Sequence, residues 1–119
     1  MNKRKIIGQY GEDIASKYLI RNNYEIIERN RKISYQEIDI IAKIKQEIVF
    51  VEVKTRTLGQ SGGAEESINT NKVKNIKKAI GAYVYENSID IDKARFDVIV
   101  VNINKINKVA NIKHYIAIF

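Results

Sequence analysis

The strongest constraint on this chain is a pair of apolar, β-branched runs broken by acids: Glu37-Ile38-Asp39-Ile40-Ile41-Ala42 and Ile48-Val49-Phe50-Val51-Glu52-Val53-Lys54. Both alternate as strands do. The polar break between them, Lys43-Ile44-Lys45-Gln46-Glu47, is short enough to be a hairpin loop. A turn centred on Lys45-Gln46 sets Asp39 opposite Glu52. Opposed side chains of an antiparallel pair share a face, with Cβ atoms roughly 4.5–5.5 Å apart, and like charges so placed repel. A divalent cation would remove that repulsion, because hard metals take carboxylate oxygens from more than one residue. Lys54, two residues past Glu52, lies on the same face by the period of a strand. The same register would also allow an ordinary cross-strand ion pair between Glu37 and Lys54. The apolar neighbours tip the balance. Strands this apolar are buried on both faces, and an acid inside one needs a partner.

At 119 residues the chain is read as one domain, 1–119. No apolar run approaches the length of a membrane span, and the basic start, Met1 to Ile7, has no apolar stretch of a signal peptide behind it. With no cysteine, disulfides, thiolate metal sites and cysteine nucleophiles are excluded. A cytoplasmic protein is the resulting expectation. The net charge of +7 favours polyanionic partners. That support is mild, since the Ile, Lys and Asn content also fits AT-rich coding.

Lys5 to Asn22 has a helical period, with Ile7, Gly11, Ile14, Ala15 and Tyr18 on one stripe. Gly8 and Gly11 within it suggest close approach to a sheet. Glu12 falls at the stripe's edge. Tyr24 to Asn30 reads as a strand, followed by a basic stretch of Arg29, Arg31 and Lys32. Arg56 to Asn69 reads as a polar Gly/Ser-rich loop. Residues 71–87 read as a second helix with Val73, Ile76, Ile80, Tyr83 and Val84 inward and Lys74, Lys77 and Lys78 on another face. Arg95 to Val101 reads as a central strand, and Val109 to Phe119 as its antiparallel partner. His114 and Asp97 are read as structural, Asp97 tying down backbone or Arg95. Tyr10, Tyr18 and Tyr83 are read as packing. The expectation is one mixed sheet of about five strands flanked by helices, in the order α-β-β-β-α-β-β.

Glu12 on a helix, Asp39 on a strand and Glu52-Val53-Lys54 on the next resemble the PD-(D/E)xK nucleases, with an order similar to that of archaeal Holliday-junction resolvases. The chain more closely resembles the YraN-like uncharacterised protein family, an endonuclease-like group. The matching stretches are Gly8 to Glu12, Arg29-Asn30-Arg31, Glu37 to Ala42, Val49 to Arg56, Lys72 and Arg95 to Ile99. One position departs: Gln36 stands where a glycine is expected. The resemblance implies a restriction-endonuclease-like fold and an Mg²⁺- or Mn²⁺-dependent endonuclease acting on nucleic acid, structured DNA above all. It implies that Asp39, Glu52 and Glu12 are metal ligands and that Lys54 orients water or stabilises charge on phosphate. Arg29, Arg31, Arg56, Lys72, Lys74, Lys77 and Lys78 are the expected nucleic-acid contacts. Resolvase-like relatives imply a homodimer, with no membrane partner. The rival expectation is a nucleic-acid-binding module that keeps the fold without catalysis.

Overall fold

The computed structural model describes residues 2–57 and 70–119. Helix α1 (Lys3–Arg21) leads into strands β1 (Glu25–Ile33), β2 (Gln36–Ile44) and β3 (Glu47–Thr57). Helix α2 (Thr70–Glu86) follows, then β4 (Ala94–Asn104) and β5 (Val109–Tyr115). The strands form one sheet in the order β1-β2-β3-β4-β5. Every neighbouring pair is antiparallel except β3 and β4. A parallel pair needs a long crossover, and α2 lies in that connection. Among the described residues, no helix is long and apolar enough to cross a membrane.

Each face of the sheet carries one helix. Phe50, Phe96, Val98 and Val100 pack with Ile76, Ala79, Ile80, Tyr83 and Val84 of α2. Val49, Val51, Ile99 and Val101 pack with Ala15 and Leu19 of α1. Being covered on both sides is why β3 and β4 read as nearly continuous apolar runs. Gly11 lets α1 close onto the sheet, since a Cβ there would collide with the Thr55 side chain. Gly8 has no such role. A Cβ there would meet nothing within 4 Å.

Several boundaries differ from the sequence expectation, three of them by more than an end residue or two. β1 continues through Arg31, Lys32 and Ile33, because the basic stretch after Asn30 pairs with Ile38, Glu37 and Gln36 of β2. β5 stops at Tyr115 rather than Phe119. There Ala117 turns the chain with a φ of 57°. The last residues then fold back on β4: Phe96 N–H donates to the Phe119 carbonyl, Ile118 N–H donates to the Phe96 carbonyl, and the Phe96 and Phe119 rings stack at 4.8 Å. Of the polar loop expected over Arg56–Asn69, Arg56 and Thr57 extend β3, and the rest lies outside the described residues.

Candidate active site

The hairpin register is set by its turn. Ile44 pairs with Glu47 and Ile40 with Val51, so the turn is centred on Lys45-Gln46, and Lys45 adopts the left-handed φ of 53° that a two-residue loop requires. The paired rungs run only as far as Ile40 and Val51. One step on, Asp39 takes over with its side chain: its Oδ2 accepts the backbone N–H of Val53 at 2.8 Å. The strand alternation also slips here. Ile38 and Ile41 join the core under α2, whereas Ile40 and Ala42 join the core under α1. On β1, Asn30 has a φ of 51°, between Arg29, which pairs with Ile40, and Arg31, which pairs with Ile38. Gln36 shows no positive φ, so the position where glycine was expected accepts an ordinary residue.

An open cleft of about 430 Å³ lies at this end of the hairpin, lined among others by Gly8 and Glu12 of α1, Asp39 of β2, and Glu52 and Lys54 of β3. The four residues singled out from the sequence therefore share one site. Glu52 is only 7% exposed. Its Oε1 lies 3.6 Å from both Lys54 Nζ and Lys72 Nζ, while its Oε2 is buried with no hydrogen-bond partner among the described residues. An unsatisfied buried carboxylate oxygen is costly. Burial, then the nearby charge of Glu52, push the Asp39 carboxyl up to about 7 despite the opposing Val53 N–H.

Glu12 lines the cleft, but its Oε1 accepts from Asn30 Nδ2 at 2.9 Å and lies 3.6 Å from Arg29. Among the described residues, no three His, Cys, Asp or Glu side chains stand close enough to hold one ion together. The expected cage of three carboxylates is thus not assembled. What the donor set does fit is a hard divalent cation. The Glu52 Oε2, unpartnered among the described residues, and the Asp39 carboxyl offer oxygen ligands only, and Mg²⁺ is commonly held by one or two carboxylates with water completing its shell.

The raised Asp39 carboxyl yields a test. Its proton is held more tightly folded than unfolded, so the metal-free fold loses stability as pH rises from about 4 to about 7. Asp39→Asn keeps an acceptor for Val53 N–H and cannot ionise. It should raise the Tm of chelator-treated protein at pH 8 by roughly 4 °C or more, the equivalent of about 1 kcal/mol in a domain this size. The gain should shrink toward pH 5. A difference that stays flat across that range would mean the carboxyl is not held protonated.

The expected nucleic-acid contacts are less uniform. Arg29 is held by Asp13 at 2.9 Å and turns toward α1. Arg31 pairs with Glu28 at 3.0 Å and lies over the Tyr83 ring on the α2 side. The two are not one basic stretch, because the left-handed Asn30 sends them to opposite faces. Lys72 reaches Glu52, which lines the cleft, at 3.6 Å. Lys74 and Lys78 are exposed on α2, and Lys77 sits over the Phe119 ring at 4.9 Å. Arg56 lies on β3 beyond Lys54.

Asp97 is fully buried and does both things expected of it. Arg95 clasps it through Nε and a terminal nitrogen, each at 2.9 Å, and Ala117 N donates to it at 2.9 Å. His114 Nε2 donates to Oδ2 at 2.6 Å, since a carboxylate can only accept. His114 Nδ1 meets the Tyr18 hydroxyl at 2.8 Å, and Arg95 reaches Tyr24 and Glu47. Burial pushes the Asp97 carboxyl up, but His114, Arg95 and Ala117 N–H together hold it below the ordinary range. Of the three tyrosines read as packing, Tyr83 is buried and Tyr18 half-buried, but Tyr10 is 57% exposed.

Together these features define an α/β domain of one mixed sheet between two helices, with an acid-and-lysine cleft where its central hairpin opens. The chain belongs to the uncharacterised protein family UPF0102, whose match spans residues 11–101 and so includes Glu12, Asp39, Glu52 and Lys54. It is 38% identical to a UPF0102 protein of Caldanaerobacter subterraneus over 91% of this chain and 94% of the relative. It is also 43% identical to one from Chlorobium phaeobacteroides, over 81% and 76% of the two chains. Against one from Clostridium botulinum the identity is 44%, over 92% and 89%.

Proposed function

We propose that this protein is a metal-dependent nuclease with a restriction-endonuclease-like fold, hydrolysing phosphodiester bonds in nucleic acid and acting on structured DNA. The observation that carries this reading is the buried Glu52, whose Oε2 has no hydrogen-bond partner among the described residues, in a cleft shared with Asp39, its carboxyl pushed up to about 7, and with Lys54. A sheet that only needed packing would favour an apolar residue at position 52, because an unsatisfied buried acid costs stability.

Asp39 and Glu52 would hold Mg²⁺ or Mn²⁺, which when bound supplies Lewis acidity at phosphate and acidifies a water. The chain's own groups do the rest. The Val53 N–H fixes the Asp39 carboxyl in place, and a bound cation would favour the ionised form of that carboxyl. Lys54 places an ammonium beside Glu52, where negative charge gathers on the phosphate oxygens in the transition state. Lys72 adds a second positive charge from α2. Glu12, held by Asn30 and Arg29, borders the cleft from α1.

Specific support also exists for the rival, a binding module without catalysis: the cleft lacks a group of three ligating acids among the described residues. Two measurements separate the readings. Mg²⁺ should raise the Tm by mass action at a true site, about 2.7 kcal/mol of stabilisation at a hundredfold excess over Kd, whereas ionic strength alone should not. Incubation with duplex, single-stranded and branched DNA, with and without Mn²⁺, should show cleavage only with the metal. Binding without cleavage in every case would favour the module.

Backbone contact should be independent of sequence and steeply salt-dependent, log K falling by about 0.9 per phosphate contact for each log unit of salt. Replacing Lys74, Lys77 and Lys78 together should flatten that slope. An unchanged slope would assign this helix face to solvation and, for Lys77, to its contact with Phe119.

A further inference from the structure

Beside the acid cleft runs a second groove, about 390 Å³ in volume, between α1 and the β4–β5 turn. Its walls are unusual for a surface. Ile6 is 54% exposed, Tyr10 57% and Val109 52%, so three large side chains on two elements open to water around one hollow. Lys105 and Lys108 line it, and among the described residues no acid does. The turn that carries the lysines is built rather than slack: Asn104 Oδ1 accepts from Ile106 N at 3.0 Å and Asn107 N at 3.1 Å, and Lys108 takes a left-handed φ of 54°. Ile7 lines both this groove and the acid cleft, so the two adjoin at α1.

We infer that this groove is a subsite for unpaired nucleotides of a nucleic-acid strand entering the cleft, with a base against Tyr10 and Ile6 and its phosphates on Lys105 and Lys108. An apolar lining with two lysines and, among the described residues, no carboxylate matches a ligand that is flat and apolar in one part and anionic in the next. An unpaired nucleotide has that character. A base inside a duplex does not, because its π-face is already stacked. Aromatic side chains hold unpaired bases irrespective of sequence, since every base has a π-face. A volume of about 390 Å³ falls in the small-ligand range of about 300–1,000 Å³. This deepens the nuclease reading and rests on it for the claim that the strand continues into the cleft. The result is a preference for DNA carrying a single-stranded arm next to the cleavage point.

The test is fluorescence anisotropy with a labelled oligothymidine strand in EDTA, where no cleavage occurs. Tyr10→Ala should weaken binding roughly 5- to 100-fold, the range for loss of one base stack, and Tyr10→Phe should restore it. Lys105→Ala with Lys108→Ala should lower the salt slope by about 1.4, at about 0.7 for each phosphate contact on a single strand. A fully paired duplex should bind Tyr10→Ala and wild type alike. Equal strand binding by Tyr10→Ala and wild type overturns the subsite. So does a Tyr10→Ala change that converts a dimer to a monomer in sedimentation and leaves strand binding intact, which would give the groove to a second copy of the chain. The two readings fail separately. Cleavage that depends on Glu52 with no effect of Tyr10 removes the subsite alone. Strand binding that depends on Tyr10 with no metal-dependent cleavage removes the nuclease alone.

Discussion

Glu52→Gln is expected to reduce metal-dependent cleavage to background while leaving nucleic-acid binding equal or tighter. The substitution keeps the shape and hydrogen-bonding capacity of the side chain and removes the charge that would hold the cation. It also removes one repulsion against phosphate and one of the influences that push Asp39 up. Glu52 is 7% exposed and its Oε1 lies 3.6 Å from both Lys54 and Lys72, so each lysine loses an anionic neighbour and a small drop in Tm should accompany the loss. Asp39→Asn should act alike on cleavage. The double variant should be little worse than either single one, because ligands of one centre work as a unit and their effects do not add. Lys54→Ala should behave differently. Metal should still stabilise the fold, but turnover should fall about 10²- to 10³-fold, the usual loss for one group that stabilises transition-state charge. Cleavage by Glu52→Gln within about tenfold of wild type would remove Glu52 from the chemistry, since a true ligand cannot be dispensed with so cheaply.

Asp97→Asn is expected to be the most destabilising conservative change in the chain. Asp97 is completely buried and its carboxylate is the anion for Arg95, itself 13% exposed at the side chain, and for the His114 ring. Taking the charge away leaves a guanidinium in the interior with Glu47, at 2.9 Å, as its remaining anionic partner. Breaking a buried pair costs about 3–5 kcal/mol, which in a domain of this size lowers Tm by roughly 10–25 °C. The control is to replace Arg95 and Asp97 together by apolar residues of similar volume, which should cost far less than the single change. The Asp97 carboxyl is held below its ordinary range, so the stability it provides is present above the unfolded value near 3.8 and is lost as pH falls through and below it. Acid unfolding should therefore begin at higher pH when Tyr18→Phe removes the hydroxyl that supports His114. If Asp97→Asn melts within about 3 °C of wild type, less than 1 kcal/mol, the pair is not an anchor of this sheet.

Much of the site was legible because it is local. A two-residue turn and a strand period of two carry Asp39, Glu52 and Lys54 to one end of one hairpin, and both properties can be read from spacing alone. The burial of β3 and β4 on both faces was equally visible in their unbroken apolar runs. The spacing misled where it assumed uniform pleating. Asn30 has a positive φ, a backbone state that no periodicity announces, and opposite it the alternation of β2 slips at Asp39. Arg29 and Arg31 consequently face different helices. Tyr10 fell beside an apolar stripe in sequence yet ended at the mouth of a groove, because the β4–β5 turn that forms the other wall lies about ninety residues away.

By itself, then, the sequence determined the element order, the hairpin and its turn, the two buried strands and the acids that interrupt them. Only tertiary structure decided what those acids face. Glu12 borders the cleft because Gly11 lets α1 sink onto Thr55. Lys72 reaches Glu52 because the crossover after β3 returns α2 to the opposite face. His114 meets Tyr18 across 96 residues, and Asp97 across 17. Turn chemistry and side-chain period act over a few residues and are written in spacing. The charge balance around a buried carboxylate depends on which distant groups packing brings within a few ångströms, and no local pattern encodes that distance.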